Sequence, residues 1–280
     1  MAELFIKQAA EYAKTRPSYP KQLFDFIASK TPSHDLVWDA GTGSGQAAVS
    51  LAGIYKTVIA TDTSSTQLDH APRLPNVHYR RTPPVIPTAD LPHLIAGEST
   101  VDLVTVGQAL HWFDLPSFYK QAQWVLKKPN GVIAAWCYCT PEIDSAVDPV
   151  FDSFYRFDSA PYWDPQRKLV DDRYRGVDFP FEAVAGADNT GPFKFVTEQG
   201  MDLDGFFTYL RSWSAYQTAK ERGVELLGDA VVEKFRRAWN DDGGEDRVKV
   251  VKFPVYLRIG KVGIACTTGE IVKESLGQTL

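Results

Sequence analysis

Apolar residues in the first half of the chain fall into short blocks separated by segments of helical period. Leu36-Val37-Trp38-Asp39 reads as a strand, Thr57 to Thr61 as a second ending at Asp62, and Val77-His78-Tyr79 as a third. Val101 to Val106 and Val132 to Tyr138 read as a fourth and a fifth. Gly41 to Gly45 makes a tight loop after the first strand, and Gln46 to Ala52 opens a helix. Alternating strand and helix signals imply a parallel sheet. Leu115, Phe118, Ala122 and Val125 recur on one helical face, with Lys127-Lys128 at the end that favours cations.

The pattern changes after residue 140. Residues 141–190 are rich in Pro, Asp and aromatic residues and read as an insertion or lid without a core of its own. Helical period returns over 202–240, where Val224, Leu227, Val231, Phe235 and Ala238 form one stripe. Val251, Phe253, Val255, Leu257 and Ile259 then alternate with Lys252, Pro254, Tyr256 and Arg258, which predicts a strand with one buried face. Pro254 predicts an edge or a bulge there, because it cannot donate to a ladder.

The chain has 280 residues and a formal charge of −5, which argues against nucleic acid as a partner, since phosphates need a basic face. No run of about 18 apolar residues offers a membrane span. The N-terminal stretch reads as an amphipathic helix, not a signal peptide. Three cysteines fit a reducing, cytoplasmic setting. Cys137 and Cys139 point to one face of a strand without a second ligand pair, so they read as buried thiols and no metal site is expected.

The strongest chemical signal is Asp39-Ala40-Gly41-Thr42-Gly43-Ser44-Gly45, between a strand and a helix. Glycines let the backbone turn tightly and approach a ligand, and the helix start offers free N–H groups. Asp62 closes the next strand, where a carboxylate can take ribose hydroxyls. Dinucleotide loops read G-x-G-x-x-G, whereas this one reads G-x-G-x-G with an acid two positions ahead. An acid there repels pyrophosphate and attracts ammonium or sulfonium, which favours S-adenosyl-L-methionine (SAM).

With these segments the chain resembles the type-11 class I methyltransferases, and within them the trans-aconitate methyltransferase-like group. The segments that carry the resemblance are Arg16-Pro17-Ser18-Tyr19-Pro20, the loop at 39–45 and Ala60-Thr61-Asp62-Thr63-Ser64. Gln108-Ala109-Leu110-His111-Trp112-Phe113-Asp114 and Tyr256-Leu257-Arg258-Ile259-Gly260 complete them. The resemblance implies a Rossmann-like α/β fold: a mostly parallel seven-stranded sheet flanked by helices, with a helical, aromatic cap. It divides the chain into a cofactor lid (1–34), a SAM-binding core (35–140), a substrate cap (141–240) and a C-terminal strand region (241–280).

By the same resemblance SAM is the cofactor and S-adenosyl-L-homocysteine (SAH) the product. Asp39, Gly41, Thr42, Gly43 and Gln46 would hold its amino-acid part, and Asp62, Thr63 and Gln67 its ribose. Thr82 would flank the adenine, although relatives carry an acid there. Gln108 at the fourth strand's end would complete the wall, and Tyr12 and Tyr19 would fold over the cofactor.

His111 and Trp112 are the candidate catalytic residues, because ligands in open α/β sheets sit at the strands' carboxyl ends. A histidine can move a proton at neutral pH, and a tryptophan face attracts a sulfonium. Phe113 reads as core. The cap offers Phe151, Tyr155, Trp163, Phe179, Phe181, Tyr209, Trp213 and Tyr216 as pocket aromatics. Arg156, Arg173, Arg175 and Arg211 are candidates for an acceptor carboxylate.

The expected activity is SAM-dependent methylation of a small molecule by a monomer or homodimer. A carboxylic acid giving a methyl ester is the leading acceptor. A phenol, hydroxyl or amine acceptor, or SAM binding without methylation, is the alternative.

Overall fold

The computed structural model describes residues 17–241 and 247–263. Tyr12, Arg16 and Cys266 lie outside the described residues. In chain order the first half comprises α1 (Lys21–Lys30), β1 (Leu36–Ala40), α2 (Gln46–Ala52), β2 (Thr57–Asp62), α3 (Ser65–Asp69), β3 (Val77–Arg81), α4 (Leu91–Leu94), β4 (Leu103–Gly107), α5 (Leu115–Val125) and β5 (Val132–Tyr138). The second half comprises α6 (Val147–Ser153), α7 (Arg167–Asp171), β6 (Phe193–Met201), α8 (Leu203–Arg211), α9 (Ser214–Glu221), α10 (Asp229–Trp239) and β7 (Lys249–Lys261).

The seven strands form one sheet in the order β3-β2-β1-β4-β5-β7-β6. Strands β1 to β5 are mutually parallel, and β7 runs antiparallel to both β5 and β6. All seven residues of β5 are buried, as expected of a strand covered on both faces. Successive residues feed opposite layers. Val132, Ala134, Trp136 and Tyr138 join Leu23, Phe24 and Ile27 of α1 on one face. Ile133, Ala135 and Cys137 join Phe118, Ala122 and Val125 of α5 on the other. The order of the strands reverses between β1 and β4, which opens a crevice at their carboxyl ends.

Two expectations need correction. First, β7 is buried on both faces from Phe253 to Gly260, because it lies between β5 and β6. Second, Pro254 sits neither at an edge nor in a bulge. Its register with Val196 is continuous with its neighbours, and its carbonyl accepts from Cys139 N at 3.0 Å, one residue past the end of β5. The missing donor therefore falls where the β5 ladder stops. The aromatic cap joins the main core. Phe151, Phe154, Phe206, Trp213, Phe235 and Trp239 belong to the same apolar cluster as α1 and one face of the sheet.

Strand β6 was not foreseen, and the helical region 202–240 holds three helices. No helix among the described residues is long and apolar enough to cross a membrane.

Candidate active site

The turn after β1 carries three left-handed glycines: Gly41 (φ 68°), Gly43 (φ 57°) and Gly45 (φ 82°). At Gly41 the requirement is also steric, since a Cβ there would lie 2.8 Å from the Cβ of Ala109. A Cβ on Gly43 would instead enter open space. The Thr42 amide donates to the Thr61 carbonyl at 2.9 Å and so ties the turn to β2.

Two carboxylates flank this turn. Asp39 is fully buried; Thr42 Oγ1 donates to its Oδ2 at 2.5 Å and Thr105 Oγ1 to its Oδ1 at 2.7 Å. Burial pushes its pKa up to about 6 against these hydroxyl bonds, with the negative charge of Asp62 adding to the rise. Asp62 ends β2 and takes the Gly43 amide at 2.8 Å and the Ser64 amide at 2.9 Å. Burial raises its pKa too, opposed by the backbone donors of Ser64, Gly43 and Thr63.

A cavity of about 460 Å³ opens over these groups at the carboxyl ends of β1, β2, β4 and β5. Its wall brings together Asp39, Gly41, Thr42, Gly43 and Gln46 from the turn and its helix, with Asp62, Thr63 and Gln67 from the end of β2 onward. Gln108 and Trp112 enter from beyond β4, and Tyr19 from the segment before α1. The side chain of Gln108 extends the sheet: Tyr138 N donates to its Oε1 at 2.7 Å and its Nε2 donates to Tyr138 O at 3.3 Å. This pairing holds Gln108 in a left-handed conformation (φ 57°), strain of a kind found where a site fixes its backbone.

Thr82 and His111 are not in the cavity wall. Thr82 is buried with its amide on the Asp62 carbonyl at 3.0 Å, and Pro84 takes the wall position instead. His111 lies in a tight 3₁₀ turn (Leu110–Trp112) that presents Trp112 to the cavity and carries the imidazole inward. His111 is only 7% exposed, and its Nδ1 is 3.0 Å from the Tyr174 hydroxyl. Burial, reinforced by the positive charge of Arg167, pushes its pKa down to about 3. Tyr174 is completely buried and stands in a left-handed conformation (φ 57°); Arg258 Nη1 donates to its carbonyl at 2.7 Å.

Phe113, read as core, is half-buried and lines the cavity. Tyr138 and Gln166 were missed. Tyr138 ends β5 and was reachable by the rule that ligands sit at strand ends, whereas Gln166 arrives from the cap with no local signal. None of the eight cap aromatics lines the cavity. They pack on one another instead, as with Trp213 against Trp163 (centroids 5.2 Å) and Tyr155 (5.8 Å). Of the arginine candidates, Arg156 pairs with Asp152 and Arg175 with Asp172 at the surface. Arg173 lies over the Tyr256 ring and Arg211 over that of Phe207.

The residues present fit a sulfonium nucleoside. Gly43 leaves room for a ligand against the turn, and the cavity has the size of a small-molecule site. Gln67 Oε1 faces this wall buried and without a hydrogen-bond partner among the described residues. Two carboxylates in one wall suit hydroxyls and a cationic donor and oppose phosphate. Fold and site together define a class I S-adenosylmethionine-dependent methyltransferase.

Comparison with known proteins agrees. Residues 38–135 match the family model for a methyltransferase domain. A candidate methyltransferase of Dictyostelium discoideum is 32% identical over 254 residues, which cover 89% of this chain and 91% of that protein. A candidate S-adenosylmethionine-dependent methyltransferase of Saccharomyces cerevisiae is 27% identical over 241 residues, 75% of this chain and 79% of that protein. Among solved structures, a candidate type II methyltransferase from Anaeromyxobacter dehalogenans superposes with a TM-score of 0.75 at 32% identity, covering 89% of this chain and 99% of that one. The chain belongs to this methyltransferase family.

Proposed function

We propose that the enzyme methylates a small carboxylic acid to its methyl ester. SAM supplies the methyl group and a sulfonium leaving group. Bound in the cavity, it would give its methyl group to an acceptor oxygen in one displacement, the electron pair of the broken S–CH₃ bond staying on sulfur to leave SAH. The protein's share is alignment and electrostatics.

The observation that carries this reading is the state of the site's proton acceptors. Asp39 and Asp62 are engaged by hydroxyls and backbone amides. His111 stands behind the wall with its basicity far below neutral. A base so weak is poorly matched to a phenol, alcohol or ammonium at pH 7. A carboxylate needs no base because it arrives as an anion. The resemblance to the trans-aconitate methyltransferase-like group points the same way.

In this reading Asp62 and Gln67 take the ribose, Asp39 and the glycine turn face the methionine part, and Trp112, Tyr138 and Gln166 bound the acceptor. The test is a screen of small carboxylic acids, phenols and amines with methyl-labelled SAM. Base-labile label in the acids is the expected result; label only in phenols or amines would refute the acid reading.

A further inference from the structure

We infer that Arg167 anchors the acceptor's anionic group, a carboxylate or like oxyanion. This rests on the acid reading above.

Arg167 begins α7 directly after Gln166, which stands in the cavity wall; Arg167 itself is not part of that lining. Its side chain is only 16% exposed. Aromatic faces hold it, with Trp163 at 4.6 Å and Tyr155 at 5.7 Å from the guanidinium carbon. Only Nε is committed, to Tyr155 Oη at 3.1 Å and Asp171 Oδ1 at 3.2 Å. The two terminal nitrogens make no hydrogen bond to the described residues, so the planar fork that pairs bidentately with carboxylate is unspent. Neither terminal nitrogen is among the buried atoms that lack a partner, so the fork opens onto accessible space where a ligand could reach it.

The position fits that role. Arg167 lies near enough to act electrostatically on Cys137, Cys139 and His111, on the α5 side of the sheet. It also meets Tyr155 and Trp163, which pack with the α1 side. Cys137 lies on β5 and Cys139 just past its end, and the strand's last residue, Tyr138, lines the cavity. Tyr155 itself sits in a π-helical turn (Phe154–Asp158), a local widening frequent at functional sites.

The test is calorimetric titration of the SAH complex with each carboxylic acid of the screening panel, alongside labelled-methyl kinetics. In Arg167→Gln, acid binding falls at least 30-fold and KM rises in step, while kcat changes less than threefold and SAH binding is unchanged. Arg167→Lys keeps the charge but not the fork and recovers part of the affinity. Arg175→Gln, a surface arginine, behaves as wild type. Equal acid affinity in wild type and Arg167→Gln, or full affinity in Arg167→Lys, would overturn the assignment. If Arg167→Gln does not fold, Arg167→Lys alone decides. Acids that bind through Arg167 yet are not methylated would sink the acid-methylation reading and leave the anchor standing. Acids that are methylated equally well without Arg167 would do the reverse.

Discussion

The Asp62 carboxylate accepts the Gly43 amide at 2.8 Å, so the end of β2 and the middle of the glycine turn act as one piece. Each needs the other for its shape. The bond holds a left-handed Gly43 against the cavity and orients the oxygens that would meet the ribose. Asp62→Ala removes both jobs. Charge-assisted hydrogen bonds are worth about 1.5–3 kcal/mol each, so SAH affinity measured by calorimetry should fall roughly 100-fold. Undiminished binding would refute the ribose assignment.

Gly41 and Gly43 share a backbone region but not an environment, and alanine should separate them. Gly43→Ala places its Cβ in open space, so stability should fall only about 1–2 kcal/mol, the left-handed penalty, while SAH binding suffers more. Gly41→Ala adds a 2.8 Å clash with Ala109 and should lose roughly 2–5 kcal/mol in denaturant unfolding. The reverse order would show that the turn's free space is misassigned.

Asp39 and His111 should give opposite pH dependences of apo-protein stability. The folded pKa of Asp39 is raised to about 6 from 3.8, so the native state binds the extra proton and stability falls as pH rises from about 4 to 6. Asp39→Asn removes that fall. It should stabilise the apo protein by up to roughly 3 kcal/mol at pH 7 while weakening SAM binding. The folded pKa of His111 is lowered to about 3 from 6.5, so its contribution is full above pH 6.5 and is lost as pH falls toward 3. His111→Gln should flatten that limb in unfolding curves taken from pH 4 to 8.

His111→Gln should also leave the rate of methyl transfer within about tenfold of wild type, flat from pH 6.5 to 9. General acid–base catalysis contributes about 10²- to 10⁴-fold where it operates. A loss of that size, with SAH binding intact, would establish His111 as a base and count against an anionic acceptor. Tyr174→Phe should shift the His111 ring in NMR spectra, because it removes the hydroxyl 3.0 Å from Nδ1.

Strands β1, β2, β4 and β5 were legible because each is a short apolar run closed by turn residues, whereas β3, a half-exposed edge strand, showed only in Val77 and Tyr79 and in its place in the alternation of strands and helices. The glycine turn and Asp62 were legible for the same local reason. Strand β6 was hidden because Lys194, Glu198 and Gln199 dilute its apolar positions, as an edge strand with an exposed face allows. The orientation of His111 depends on which residue of a three-residue turn faces inward, which the segment Gln108 to Asp114 does not encode alone. Arg167 looks like Arg156 in sequence; the rings of Tyr155 and Trp163 bury it, while Arg156 pairs with Asp152 at the surface.

The antiparallel β7 lies directly against β5 over the whole length from Val132 to Tyr138. During synthesis the glycine turn and all five parallel strands therefore exist well before their neighbour does. Until residue 261 has left the ribosome, β5 presents seven apolar residues on an unpaired edge, an invitation to aggregate. The nascent enzyme thus carries a complete cofactor loop while the neighbouring edge of its sheet still waits for a partner.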